Sequence, residues 1–290
     1  MKNILKKSLT LASAALLLAS CSDWTKVESV GIDETMPWEN NPKEWADYQV
    51  RVRNYKNRPH KLAYIRFANS PEGVQNEKGN LRSLPDSLDI VSLTNGANFS
   101  EYDAEDMARM RAVDIKVIYQ VDLAAAEDAA TAIDKAVNTV KENALDGYSF
   151  TAASKASASE AVDRLSEVKS ENQILVFEGD PVFISSDDIA KIDLFVLATE
   201  TVENPYDLRN VIEDAVERGV PRERILLAAS RDGVFHNSEN VEVTVLEAMA
   251  DNVVNYGPMA GLALYDIESD YYHYDRNWSS LRSIISRLNH

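Results

Sequence analysis

Leu145-Asp146-Gly147-Tyr148-Ser149-Phe150-Thr151-Ala152-Ala153 is the stretch that decides the fold of this 290-residue chain. Side chains alternate across an extended strand, so Ser149, Thr151 and Ala153 share one face and Tyr148, Phe150 and Ala152 the other. A short run of this kind, apolar enough to be covered on both faces, is what a parallel sheet requires.

Seven similar runs flank it: Leu62 to Phe67, Leu88 to Leu93, Ile115 to Val121, Ile174 to Phe177, Leu194 to Leu197, Ile225 to Ala229 and Leu262 to Ile267. Between them lie segments that predict helices over Glu101 to Ala112, Ala124 to Asn143, Ser159 to Lys169, Pro205 to Arg218, Val241 to Asn255 and Trp278 to Leu288, with a shorter turn at Asp187 to Lys191. Asn41-Pro42-Lys43-Glu44 combines an N-cap, a proline at the first helical position and an acid in the first turn, which predicts a helix through Lys56. Asn204-Pro205 repeats that start. Residues 68–87 are rich in Gly, Pro and Asn and read as a long loop. Strand and helix alternating eight times predicts an α/β fold, a single (β/α)8 TIM barrel. An open doubly wound sheet is the alternative, but neither Gly-x-Gly-x-x-Gly nor Gly-x-x-x-x-Gly-Lys is present to support a nucleotide fold.

The ends divide the chain further. Lys2, Lys6 and Lys7 precede an apolar run from Leu9 to Leu18, and Leu18-Ala19-Ser20-Cys21 ends it, so residues 1–20 read as a lipoprotein signal peptide with Cys21 the lipid acceptor. The run is too short for a permanent membrane span. Cys21 is the single cysteine, so disulfides and thiol chemistry drop out, and acyl chains at that residue would hold the protein to a membrane. Residues 21–40, with Trp24 and Trp38, read as a tether, and residues 41–290 as the barrel domain. The net charge of −17 becomes more negative once the three leader lysines are removed. An acidic surface repels nucleic acid and anionic headgroups, which leaves the lipid as the membrane contact and favours an uncharged ligand.

The Asp146-Gly147 strand in fourth position, the strand count, and the ending Gly261-Leu262-Ala263-Leu264-Tyr265-Asp266-Ile267 before a last helix together resemble family 18 glycoside hydrolases, the lipoprotein branch near the endo-β-N-acetylglucosaminidases. The family's strand reads Asp-Gly-x-Asp-x-Asp-x-Glu. Only the first two residues match, and the three acids fall on Ser149, Thr151 and Ala153. The resemblance implies hydrolysis assisted by the substrate's acetamido group, with the terminal Glu as general acid and the adjacent Asp orienting the acetamido group. Here the first is Ala153 and the second Thr151, and the polar residue expected after the sixth strand is replaced within Leu197-Ala198-Thr199. No catalytic residues are therefore assigned.

A sugar site needs aromatic faces and hydrogen-bonding groups in a concavity. The candidates at the carboxyl ends of strands are Tyr265, Thr151, Asn95, Tyr119, Glu178, Glu200 and Asp266, with Asn69, Asn98, Gln120, Asp122, Ser154 and Arg231 nearby. Asp146 is expected to hold its strand by hydrogen bonds. The cluster Tyr271-Tyr272-His273-Tyr274, with Trp278 behind it, either stacks on an extended glycan or closes the barrel. His60, His236, His273 and His290 are too scattered for a metal site, and no cofactor is expected. The expectation is a non-catalytic outer-membrane lipoprotein, at the cell surface, that captures N-glycans or other N-acetylglucosamine-containing oligosaccharides beside components of a glycan transporter. Two rivals stay open: an active endo-β-N-acetylglucosaminidase whose acids have moved to Glu178, Asp180, Glu200, Asp266 or Glu268, and a scaffold that docks to a partner without a sugar site.

Overall fold

A computed structural model describes residues 37–69 and 76–289. The expected signal peptide, Cys21, Trp24 and most of the expected tether lie outside the described residues. Two compact units divide at Ala46 and Asp47. In the first, the described residues form helix α1 (Pro37–Asn40) and the opening of α2 (Pro42–Lys56), where Asn41 Oδ1 accepts the Glu44 N–H at 3.2 Å. The rings of Trp38 and Trp45 lie 5.6 Å apart there.

The second unit carries a closed barrel of parallel strands: β1 (Leu62–Phe67), β2 (Ile90–Leu93), β3 (Lys116–Asp122), β4 (Gly147–Thr151), β5 (Ile174–Glu178), β6 (Leu194–Leu197), β7 (Ile225–Ser230) and β10 (Gly261–Tyr265). β10 pairs with β1, Leu62 opposite Gly261, and this closure excludes the open sheet. Around the barrel run α3 (Glu101–Ala112), α4 (Ala129–Asn143), α5 (Lys155–Val168), α6 (Pro205–Glu217), α7 (Val245–Asn255) and α8 (Ser279–Leu288).

Helix starts differ from expectation wherever a side-chain cap sits later or earlier than the apolar pattern. Asp122 Oδ1 turns the chain by accepting the Ala124 and Ala125 N–H groups, so α4 begins only at Ala129, capped by Asp128. Ser154 caps α5 four residues earlier than expected. Residues 242–244 leave the predicted helix altogether, because β9 (Glu242–Thr244) pairs antiparallel with β8 (Val234–His236) as a hairpin. The last strand stops at Tyr265, because Asp266 adopts a left-handed conformation with φ 55°.

Strand alternation sorts the core into two layers. Tyr64, Ile90, Ile118, Val176, Val196, Leu226, Ala228, Ala263 and Tyr265 fill the barrel. The alternate residues pack outward against the helices, among them Phe150, Phe177 and Phe195, whose successive ring centroids are 5.2 and 6.2 Å apart.

The amino end of the barrel has its own polar device. Asp89, Asp146 and Asp193 each stand one residue before an even strand, and each uses a carboxylate oxygen to accept a main-chain N–H of the preceding strand: Ala63 at 2.8 Å, Val117 at 2.9 Å and Leu175 at 2.8 Å. Gly147 follows directly, with φ 142°, and a Cβ there would lie 2.0 Å from the Ile174 carbonyl oxygen. The Asp146-Gly147 pair is thus required by strand packing.

Candidate carbohydrate site at the carboxyl end

β1, β3, β5 and β10 direct polar side chains to one point at the carboxyl end of the barrel. Glu178, the last residue of β5, is 2% exposed. Its Oε1 accepts from Tyr64 Oη at 2.6 Å and Gln120 Nε2 at 3.1 Å, and its Oε2 accepts from Arg66 Nε at 2.6 Å and Tyr265 Oη at 2.8 Å. The Arg66 guanidinium also lies over the Tyr265 ring, 3.8 Å from its centroid, so its charge meets both a carboxylate and a π face. Burial pushes the Glu178 carboxyl up, but the Arg66 charge and the hydroxyl donors outweigh it and hold the group below its ordinary range. Burial, followed by the neighbouring Glu178 charge, holds the Tyr64 and Tyr265 hydroxyls well above their usual range, so both remain donors.

This geometry decides what Glu178 can do. A general acid must carry a proton within reach of the leaving oxygen. Glu178 is an anion committed to four donors, so it serves as the keystone of the barrel mouth rather than as a relocated acid.

The degenerate face of β4 surrounds this centre. Ser149 is buried and its hydroxyl lies 2.8 Å from that of Ser92. Thr151 is half-buried, donates to Asp122 Oδ1 at 2.6 Å and accepts the Ala124 N–H at 3.3 Å. Ala153 is exposed, a methyl group where the resemblance places the acid. Thr199, after β6, is buried and donates to the Ala228 carbonyl at 2.7 Å.

The remaining candidates separate. Tyr265 belongs to the centre, but its ring is 5% exposed and already covered by Arg66. Tyr119 is corrected outright: alternation turns it into the outer core, with its ring against Gly96, so it offers no stacking face inside the barrel. Asn95 donates to the Asn69 carbonyl at 2.9 Å, and Asn69 is itself buried against Asp103. Asn98 donates to Asn95, and Ser154 caps a helix. Asp266 is exposed and accepts from Ser230 at 3.0 Å, while Arg231 donates to Ser269 at 2.8 Å. Glu200 is half-buried with a buried Oε2 that has no hydrogen-bond partner among the described residues. Asp180 caps a 3-10 turn through Val182 N at 2.9 Å.

The aromatic segment before α8 divides by burial. Trp278 is fully buried, donating to the Ser83 carbonyl at 2.8 Å, with Tyr271 5.4 Å from its ring; both close the barrel's flank. Tyr272 and Tyr274 are 69% and 92% exposed, and His273 stacks on Tyr274. Asp146 accepts the Val117 N–H at the opposite end of the strand from this site. Among the described residues no group of three or more His, Cys, Asp or Glu side chains is placed to hold a metal.

Tyr64, Arg66 and Ser92 belong to the candidate site and were not among the residues expected from the sequence. The available signal was an arginine two residues after a tyrosine inside an otherwise apolar strand, a charge that a buried barrel face accepts only with a partner.

Residues 25–169, half of the chain, match the family described as glycoside hydrolase family 18, BT1044-like. Among solved structures, a selenomethionine form of BT1044 with a Glu-to-Gln substitution aligns at a TM-score of 0.68 and 16% identity, covering 88% of this chain and 96% of that one. A chitinase from Bacteroides thetaiotaomicron aligns at 0.58 and 11% identity, covering 80% and 96%. Catalytic domain 2 of the Ostrinia furnacalis group II chitinase, a mutant in complex with penta-N-acetylchitooctaose, aligns at 0.59 and 7% identity, covering 79% and 96%. No curated protein matches. The strand that opens with Asp146-Gly147, the closed barrel around it and the family match agree: the chain belongs to glycoside hydrolase family 18.

Proposed function

We propose that this protein is a non-catalytic glycan-binding member of its family, lipid-anchored through Cys21 at the outer membrane and facing the cell exterior, where it captures N-glycans or other N-acetylglucosamine-containing oligosaccharides. One observation carries the reading: the position of the general acid is the methyl group of Ala153, and the buried carboxylate at the barrel mouth, Glu178, is ionised and holds four hydrogen bonds. Loss of a general acid alone lowers a rate by about 10²–10⁴.

Binding does not require that acid. Around the closed centre stand half-buried Gln120 and Thr151, the outer edge of Arg66, whose side chain is 31% exposed, and the exposed carboxylates Asp122 and Asp266. Such groups take sugar hydroxyls, and carboxylates accept them as readily as amides donate to sugar oxygens. A barrel of the same fold, catalytic domain 2 of the Ostrinia furnacalis group II chitinase, is in complex with penta-N-acetylchitooctaose.

Calorimetric titration of the soluble body lacking Cys21 with an N-glycan carrying an intact chitobiose core tests the reading. A saturable isotherm that weakens about tenfold or more in Gln120→Ala with Thr151→Ala supports it, as hydrogen bonds worth roughly 1.4 kcal/mol together would. Absence of heat sinks it. A second reading, hydrolysis by a displaced acid, rests on the unpartnered buried Oε2 of Glu200. It requires a turnover that Glu200→Gln abolishes.

A further inference from the structure

At the amino end of the barrel, opposite the candidate sugar site, lies a cavity of about 700 Å³. Leu62, Ile90, Ile174 and Leu194, at the starts of four strands, give it an apolar floor. Its walls mix cations with four carboxylates, of which three are committed to main-chain N–H groups and the fourth is the exposed Asp114. Asp146 and Asp193 each hold a strand N–H, and Asp89 holds both the Ala63 N–H and His60 Nε2 at 2.9 Å. Lys56, Arg111 and Lys116 instead donate to the main-chain carbonyls of Leu88, Ala144 and Asn172, and none of the three takes part in an ion pair among the described residues.

Lys56 is distinct among them. It is the last residue of α2, fixed at the cavity edge, and burial brings its amine down to about 8 despite Asp89, Asp86 and Asp114 nearby. About a tenth of it is therefore the free, nucleophilic amine at pH 7.

We propose that the amino end of the barrel is a second ligand site, which takes a small carbonyl compound with an apolar body and an anionic group, and that Lys56 Nζ captures its carbonyl carbon as an imine. The nitrogen lone pair adds to the carbonyl carbon to give a carbinolamine. The carbonyl oxygen then leaves as water with the two amine protons, and no oxidant or reductant is consumed. The strand-start side chains receive the apolar body, and Arg111 and Lys116 receive the anion. This site is independent of the glycan reading.

The test uses the full chain with pyridoxal 5′-phosphate, which combines an aldehyde, an aromatic ring and a phosphate, followed by borohydride trapping and peptide mass spectrometry. The adduct is expected at Lys56 at least about tenfold above exposed lysines such as Lys135 and Lys141, because its lowered pKa enriches the free amine. Lys56→Arg, which keeps the charge and the bond to Leu88, should remove it. Arg111→Gln with Lys116→Gln should lower phosphate-dependent labelling to the level given by pyridoxal, which lacks the phosphate. Labelling spread evenly over the lysines overturns the site, and a preference for the phosphate that survives the double variant overturns the assignment of its anion contacts.

Discussion

The two ends of the barrel carry acids to different purposes. At the amino end, Asp89, Asp146 and Asp193 stand at equivalent positions and each secures a strand by one main-chain N–H. At the carboxyl end the β4 face offers Ser149, Thr151 and Ala153, and a single carboxylate, Glu178, gathers four donors on the neighbouring strand. The difference separates scaffold from chemistry. Asp146 survives within a family motif that has otherwise lost its acids because it performs a packing task at the far end of the strand, where barrels place their stability determinants rather than their reactive groups.

Removing Glu178 should break the comparison most sharply. Glu178→Ala leaves the Arg66 cation without its carboxylate and Tyr64, Tyr265 and Gln120 without an acceptor, so a loss of about 3–5 kcal/mol in urea unfolding is expected. Arg66→Met with Glu178→Leu should recover much of it, since a buried ion pair replaced as a unit by apolar groups is often neutral. If Glu178→Ala is instead tolerated within 1 kcal/mol or so, as for a surface residue, Glu178 is no keystone.

The amino end should respond in smaller steps. Asp146→Ala leaves the Val117 N–H buried and unpaired, a loss of about 1–3 kcal/mol, and Asp193→Ala at Leu175 should cost a comparable amount. Because the two residues hold different strands, their effects should add in the double variant. Unequal effects, one near zero, would show that the repeated geometry is not a repeated role.

Much of this organisation is legible in the sequence. Eight apolar runs at strand length, the Asn-Pro starts at Asn41 and Asn204, and the short Gly261 run specify the barrel because each reports local chemistry: strand coverage, N-capping, a strand start. The hairpin at Val234–His236 and Glu242–Thr244 was not legible, since Glu242-Val243-Thr244 continues smoothly into the apolar pattern of a helix and only the pairing partner ends it. The site was half legible. Tyr265 and Glu178 were reachable from strand ends, but the hydrogen bonds that unite them with Tyr64 and Arg66 join residues more than eighty positions apart, and no local pattern records such a closure. Tyr119 failed for a simpler reason: its distance from the end of β3 does not say which way it faces, and Ile118 and Gln120 hold the inward positions.

The pH response sharpens the contrast at the smallest scale. His60 bonds Asp89 through Nε2 and the Arg58 carbonyl through Nδ1, and the Asp89 bond raises its pKa above 6.5. Its stabilisation should be complete below 6.5 and fade as pH rises through the raised folded value. Glu178 has the opposite sign: its folded pKa lies below 4.5, so its stabilisation holds above 4.5 and fades as pH falls through the depressed value. Urea midpoints followed against pH should therefore lose the alkaline limb in His60→Gln and the acid limb in Glu178→Gln, each variant leaving the other limb in place. Loss of both limbs in either variant would mean that the two ends do not titrate separately.

The central claim, that the barrel binds glycan without cutting it, is tested most directly by prolonged incubation of the soluble body with an N-glycoprotein, reading both species by mass spectrometry. The account predicts that the glycan stays on the protein intact while the complex is recovered. Release of the glycan, with a single N-acetylglucosamine left on the asparagine, would contradict it and direct attention to Glu200.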